Sequence, residues 1–218
     1  RGAVIIPDDG GNLTWTMQAF GVKEGQQLFS TFGNSPMGYA LPAAIGAAFG
    51  TDRKKRIICI DGDGGFQLNI QELQTVRFHD LPIKMFILNN HGYGIIKQFQ
   101  EIYFDARYEA TGRGYSTPDF IRVAAAYGIP GITIANHDEM RAGIQNVLHM
   151  NGPVLCDVLL DPGQKLVPKL VADRLPDGRY ISKPLEDMAP FLPREEFYAN
   201  MLIEPLEGRG EKKSSEIN

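Results

Sequence analysis

The sequence predicts an α/β fold, an open and mainly parallel sheet with helices on both faces, followed by an extended C-terminal tail. Three observations lead there. Short apolar runs at residues 57–60, 83–88 and 154–160 are continuous instead of alternating, as strands covered on both faces must be. Segments with helical spacing of apolar residues separate them, and strand–helix–strand repetition implies right-handed crossovers. Glycine-rich loops stand where strands should end, the edge at which open parallel sheets bind ligands.

Taken in order, Ala3, Val4, Ile5 and Ile6 read as a first strand, and Pro42, Ala43, Ala44, Ile45, Ala47 and Ala48 as a helix whose small side chains allow close packing on the sheet. The strand at 57–60 is followed by a helix over 69–78, with Ile70, Leu73 and Val76 on one side. After the strand at 83–88, helices are expected over 118–127 and over 137–149, the latter with Met140, Ile144, Val147 and Leu148 aligned, before the strand at 154–160. Residues 1–170 form the expected domain. Residues 171–218 form a tail interrupted by Pro176, Pro184, Pro190 and Pro193, with a short helix over 194–201 and a disordered end over 207–215, where apolar anchors are missing.

Composition excludes several functions. With 43% hydrophobic content, 218 residues can bury a substantial core. The balance of 22 basic against 26 acidic residues provides no polycationic face for nucleic acid and no basic amphipathic segment for a membrane surface, so neither partner is expected. No run has the roughly 18 apolar residues of a spanning helix, and the N-terminus lacks the order of a signal peptide. Cys59 and Cys156 both lie in buried-strand patterns, which favours free thiols, a reducing compartment and a cytoplasmic location. A start at Arg1, with a strand pattern almost at once, is expected of a fragment or processed product.

Four loops carry the chemistry: Pro7 to Asn12, with Gly10, Gly11 and Asn12; Phe32 to Gly38, with Ser35 and Met37; Asp61 to Gly65, with Gly62, Asp63, Gly64 and Gly65; and Asn89 to Gly94, with Asn90, Gly92, Tyr93 and Gly94. Glycine permits close approach of the backbone to a ligand, and free amides after the loops suit an anion such as a phosphate. No G-x-G-x-x-G or P-loop order is present, and no lysine lies in any loop, so a metal must supply positive charge to a diphosphate. Asp63 and Asn90 offer the hard oxygen ligands that Mg²⁺ accepts.

The pairing of Gly62-Asp63-Gly64 with Asn89-Asn90, separated by roughly two dozen residues, resembles the cofactor fingerprint of thiamine-diphosphate-dependent enzymes. The stretch from Phe32 to Gly46 is similar to the corresponding part of acetolactate synthases, and the likeness covers about residues 3–170. The resemblance implies that Asp63, the Asn90 side chain and the Gly92 carbonyl bind Mg²⁺, and that Gly64 and Gly65 meet the diphosphate. It also implies further diphosphate contacts at Gly10, Gly11 and Asn12, with cofactor contacts around Tyr93 and Gly94. Met37 would lie beneath the bent cofactor, and the backbone at Ser35 and Met37 would hold its aminopyrimidine.

The implied reaction is decarboxylation of a 2-oxo acid and transfer of the remaining unit to a carbonyl acceptor. The activating glutamate of the family lies in a separate N-terminal domain, contributed by a neighbouring subunit. The isolated chain is therefore expected to be inactive without that domain and to associate as a homo-oligomer. The full-length protein could also carry FAD, which this chain is not expected to bind. Gln98 and Phe99 fall where acetolactate synthases have a glutamine and a tryptophan that shapes the acceptor pocket, and the smaller Phe99 implies a different acceptor. Glu72, His79, His91, His137 and His149 receive no catalytic role. The alternative reading is a non-catalytic α/β module that keeps the metal loop for structural or regulatory ligand binding.

Overall fold

The computed structural model describes residues 2–203. The disordered end expected over 207–215 lies outside the described residues. Two compact units divide between Lys165 and Leu166.

In the first unit the chain runs β1 (Val4–Pro7), α1 (Gly11–Ala19), β2 (Gln27–Leu28), α2 (Ala40–Gly50), β3 (Ile57–Gly62), α3 (Asp63–Gln67), a 3₁₀ turn (Ile70–Glu72), α4 (Leu73–Phe78), β4 (Ile83–Asn89), α5 (Gly94–Tyr103), α6 (Phe120–Ala126), β5 (Gly131–Ile134), α7 (His137–His149) and β6 (Val154–Leu159). Six strands form one sheet in the order β2-β1-β3-β4-β6-β5, and each pairing is parallel. The fold class predicted from the apolar runs is the one observed. On one face, Val4, Ile6, Ile57, Cys59, Ile83, Met85 and Ile87 pack with Leu41, Ala44 and Ala48 of α2, Leu73 and Val76 of α4, and Phe120 and Ala124 of α6. On the other, Phe86, Val154, Cys156 and Ile134 pack against Val147, with Ile144 and Leu148 of α7 beside them.

The order of the strands positions the site. From β1 the chain crosses to β2 on one side, and from β3 it crosses to β4 on the other, so the loops after β1 and β3 diverge at adjacent strand tips. Such a switch point opens a crevice at the carboxyl edge of a parallel sheet. Cys59 and Cys156 are both buried and free, as their strand patterns predict. Among the described residues, no helix is long and apolar enough to cross a membrane.

The helix expected over 69–78 forms one residue late and opens as a 3₁₀ turn before α4. Asn69 has φ −130°, outside the helical range, and turns its side chain to donate to the Gly38 carbonyl at 2.6 Å, which separates this helix from α3. The tail is also more regular than the expected extended chain. Within the second unit, β7 (Ala172–Arg174) and β8 (Tyr180–Ser182) pair antiparallel, and α8 (Arg194–Asn200) follows. There Arg194 makes a bidentate ion pair with Asp187 at 2.8 and 2.9 Å and lies over the rings of Phe191 and Phe197.

Candidate functional site

Loops from distant parts of the chain meet at the tips of β1, β3 and β4. Asp8, at the end of β1, accepts the backbone N–H groups of Gly38 and Ala40, both at 2.9 Å, which ties the 32–38 loop to the sheet. Ser35 donates to Asp9 at 2.9 Å. Asn12, 6% exposed, donates to the Asp9 carbonyl, and its amide lies so near Gly62 that a Cβ there would be 3.0 Å away. Met37 stands at the surface of this loop, 37% exposed.

Asp61 and Asp8 form a buried pair of acids. Burial, together with the charge of Asp8, pushes the Asp61 carboxyl well above its usual range, and burial also raises Asp8. One Asp61 oxygen accepts from Gly62 N–H, while the other, fully buried, has no donor in reach. A proton kept on the Asp61 carboxyl, as its raised range and the neighbouring Asp8 carboxylate favour, removes the charge that this burial penalises. Gly65 packs directly on this pair, where a Cβ would meet Asp8 Oδ2 at 2.3 Å and Asp61 Oδ1 at 2.5 Å. Gly64 lies under the Tyr93 ring. Both glycines therefore have a packing reason to lack a side chain.

Asp63 begins α3 and is 2% exposed. Burial pushes its carboxyl up to about 6, opposed by hydrogen bonds from Tyr115 and Gly92. Oδ2 accepts Gly92 N–H at 3.0 Å and Tyr115 O–H at 3.1 Å. Oδ1 faces the Asn90 amide. One terminal atom of that amide lies 3.2 Å from Asp63 Oδ1 and 2.7 Å from the Gly92 carbonyl oxygen. If that atom is nitrogen it donates to both, and if it is oxygen then three oxygens converge with no proton between them, which only a cation makes favourable.

The spacing suits such a cation. Adjacent ligands of octahedral Mg²⁺, each about 2.1 Å from the ion, lie about 3.0 Å apart. The two observed separations bracket that value. One carboxylate, one amide and one carbonyl are hard donors, and among the described residues no group of three or more His, Cys, Asp and Glu side chains is placed to hold a metal instead.

Asn89 is buried and points elsewhere, donating to Asp157 at 3.1 Å and accepting His91 N–H at 3.2 Å, so it orders the loop that presents Asn90. His91, in the left-handed region at φ 54°, bonds Thr117. Glu72 accepts from Thr75 at the start of α4, and His149 bonds the Gln145 carbonyl, which are local structural roles.

Gln98 and Phe99 part company on α5. Gln98 is buried, whereas Phe99 is 45% exposed and lines a cavity of about 410 Å³ with Ile96, Gln100, Phe104 and Arg107. Tyr115 and Gln67, absent from the sequence reading, join Asp63 in one hydrogen-bonded group. Burial and the Asp63 carboxylate push the Tyr115 phenol well above the usual tyrosine range, so it stays a donor. Its contact with Asp63 spans 52 positions of sequence, and no local pattern marks it.

Comparison with known proteins agrees with this geometry. Residues 8–158 match the family described as thiamine pyrophosphate enzyme, C-terminal TPP binding domain. The acetolactate synthase large subunit of Cyanidium caldarium is 36% identical over 168 residues, covering 77% of this chain and 28% of that protein. The acetolactate synthase isozyme 2 large subunit of Escherichia coli (strain K12) is 33% identical over 186 residues, covering 85% and 33%. The probable acetolactate synthase 2, chloroplastic, of Oryza sativa subsp. japonica is 33% identical over 176 residues, covering 77% and 26%. The chain thus spans a third or less of the length of these relatives. Sheet order, converging loops and sequence match lead to one conclusion: the chain belongs to the thiamine pyrophosphate enzyme family, as its C-terminal TPP-binding domain.

Proposed function

We propose that this chain is the cofactor-binding part of a thiamine-diphosphate-dependent decarboxylase or carboligase of acetolactate synthase type. The convergence of Asp63 Oδ1, the Asn90 amide and the Gly92 carbonyl carries the reading, because with the amide oxygen turned inward the Asn90 contacts stand at the spacing of octahedral Mg²⁺ ligands. These groups would hold Mg²⁺, which would supply the positive charge that a diphosphate needs. Backbone around Gly10, Gly11, Asn12, Gly64, Gly65, Tyr93 and Gly94 would enclose that end of the cofactor. Ser35 and Met37, on the loop tied to Asp8 and Asp9, would support its aminopyrimidine.

When bound, thiamine diphosphate supplies a carbon nucleophile and an electron sink for loss of CO₂ from a 2-oxo acid. The chain's own contribution is placement. Asp63 provides the one negative charge of the metal set, and its burial keeps water from competing for the ion. Phe99 would border the acceptor carbonyl, its ring closing one wall of the α5 cavity. Gln98, turned inward, would act on that wall through packing and not by touching the substrate.

Ile96, Phe99, Ile102 and Phe104 are all more than a third exposed, and Met17 of α1 is 52% exposed. We assign these apolar surfaces to contact with an N-terminal domain or partner subunit and with a second copy, in a homo-oligomer. Buried free thiols support a reducing, cytoplasmic setting. Calorimetric titration of the chain with thiamine diphosphate tests the proposal. Heat of binding should appear only with Mg²⁺ present and vanish in Asp63→Ala. A chain that ignores the cofactor at every magnesium concentration would be a non-catalytic module.

A further inference from the structure

We propose that Tyr115 is a positioning residue that holds the Asp63 carboxylate in a one-oxygen binding mode and thereby selects Mg²⁺ over larger cations. The inference rests on the reading of Asp63, Asn90 and Gly92 as the metal set.

The proton positions follow from the partners. Gln67 Nε2 lies 3.0 Å from the Asp63 backbone carbonyl, which can only accept, so the amide nitrogen is the atom on that side. The same nitrogen is 3.2 Å from the Tyr115 oxygen and donates to it. With a donor on that side, the phenol must aim its own single proton at Asp63 Oδ2, 3.1 Å away. Gly92 N–H occupies a second position on Oδ2 at 3.0 Å. Oδ2 is thus engaged by two donors, and Oδ1 is the oxygen turned to the Asn90 amide, whose same terminal atom faces the Gly92 carbonyl.

The segment carrying Tyr115 is strapped in place. Gln100 of α5 accepts Thr111 O–H at 2.8 Å and donates to the Glu109 carbonyl at 3.1 Å. Thr111 is buried, and its carbonyl accepts Tyr93 N–H at 3.1 Å. Tyr115 N–H then bonds the Gly112 carbonyl, and its ring rests on Tyr93 with centroids 4.6 Å apart. The strap and the Asn90–Gly94 loop are therefore joined, and the phenol reaches Asp63 from a segment held at several points.

A carboxylate fixed in this way offers a cation one oxygen. Mg²⁺ requires near-ideal octahedral geometry and accepts such a ligand, whereas Ca²⁺ takes six to eight oxygens and readily uses both oxygens of a carboxylate. Removing the phenolic proton leaves Gly92 N–H as the one donor to Oδ2 of the two, which lowers the cost of turning Oδ2 toward the ion. Supporting partners of metal ligands typically contribute about 10- to 100-fold in affinity.

The test is Tyr115→Phe, which keeps the ring on Tyr93 and removes only the hydroxyl. Mg²⁺ and Ca²⁺ are each titrated into the full chain with thiamine diphosphate present, and binding is followed by calorimetry. We expect Mg²⁺ affinity to fall about 10-fold or more, with Ca²⁺ affinity falling less or rising, so that the preference for Mg²⁺ shrinks. Gln67→Met, which leaves the phenol undirected, should shift the preference the same way by a smaller factor. Equal losses for both ions, or no loss, would overturn the selective role of Tyr115. Wild-type chain that binds neither ion would overturn the metal assignment itself, and this inference with it.

Discussion

Gly38→Ala is a sharp test of how the 32–38 loop is held. Gly38 has φ +80°, its N–H bonds Asp8, and its carbonyl accepts from Asn69 at 2.6 Å. A Cβ at this position would lie 2.9 Å from Leu68 Cβ and 3.0 Å from Asn69 Nδ2. An L side chain in the left-handed region costs about 1–2 kcal/mol, and overpacking adds about 1–3 kcal/mol. The sum of about 2–5 kcal/mol lowers the melting temperature by about 4–20 °C, at roughly 2–4 °C per kcal/mol for a chain of this size.

Gly46→Ala is the control, because Gly46 lies on the exposed side of α2 with nothing within 4 Å of the added carbon. There the change should raise stability by about 0.5–1 kcal/mol through reduced backbone entropy loss. Differential scanning calorimetry of both variants decides the matter. A Gly38→Ala protein that melts within a degree or two of wild type would refute the close approach of the loop to Leu68 and Asn69.

Other predictions concern buried charge. Asp61→Asn replaces a protonated acid by an amide of the same shape that donates to Asp8 permanently. The raised Asp61 value means the folded state keeps a proton that the unfolded chain releases near the ordinary aspartate value of 3.8, so wild-type stability falls as pH climbs through the raised value. Urea midpoints measured from about pH 5 to 8 should decline in wild type and decline less steeply in Asp61→Asn, where the raised Asp8 and Asp63 carboxyls still contribute, and parallel curves would contradict a proton held by Asp61. Lys84, 4% exposed, donates to the Met150 and Gly152 carbonyls, both at 2.6 Å. Lys84→Met strands both acceptors and should cost about 2–4 kcal/mol in urea unfolding, so a loss under about 0.5 kcal/mol would show those bonds to be dispensable.

The parts of the fold visible in the sequence are those whose burial is apolar and periodic. The runs behind β3, β4 and β6 are continuous because helices cover both faces, and α7 keeps the bounds His137–His149 because Asn136 caps it, accepting Glu139 N–H at 3.0 Å. Elements without that signature went unseen. Helix α1 buries Asn12 and Thr16 while exposing Met17, which inverts the expected pattern, and α5 buries Gln98 while exposing Ile96, Phe99 and Ile102. Strand β5 is only four residues long, and β7 and β8 are three each, too short for a period to show.

The approach of Asp63 to the Asn90–Gly92 segment was legible because Asp63 and Asn90 each follow directly on a buried strand and the two strands are neighbours, which fixes the loops side by side. Asp8, Asp61, Gln67 and Tyr115 were not. Their meaning comes from contacts between segments far apart in the chain, such as Asp8 with Gly38 and Ala40, and Tyr115 with Asp63. The sequence motif also leaves open what its glycines are for, whereas the structure shows Gly64 beneath the Tyr93 ring and Gly65 against the acid pair.

The most direct test of the metal-bridged cofactor is the affinity of thiamine diphosphate for wild-type chain and for Asp63→Asn, each with and without Mg²⁺. The substitution preserves shape and removes the single charge of the proposed metal set. Binding that requires Mg²⁺ in wild type and disappears in Asp63→Asn is the expected result. Equal affinity in the two proteins, or binding by wild type that is indifferent to Mg²⁺, would contradict it.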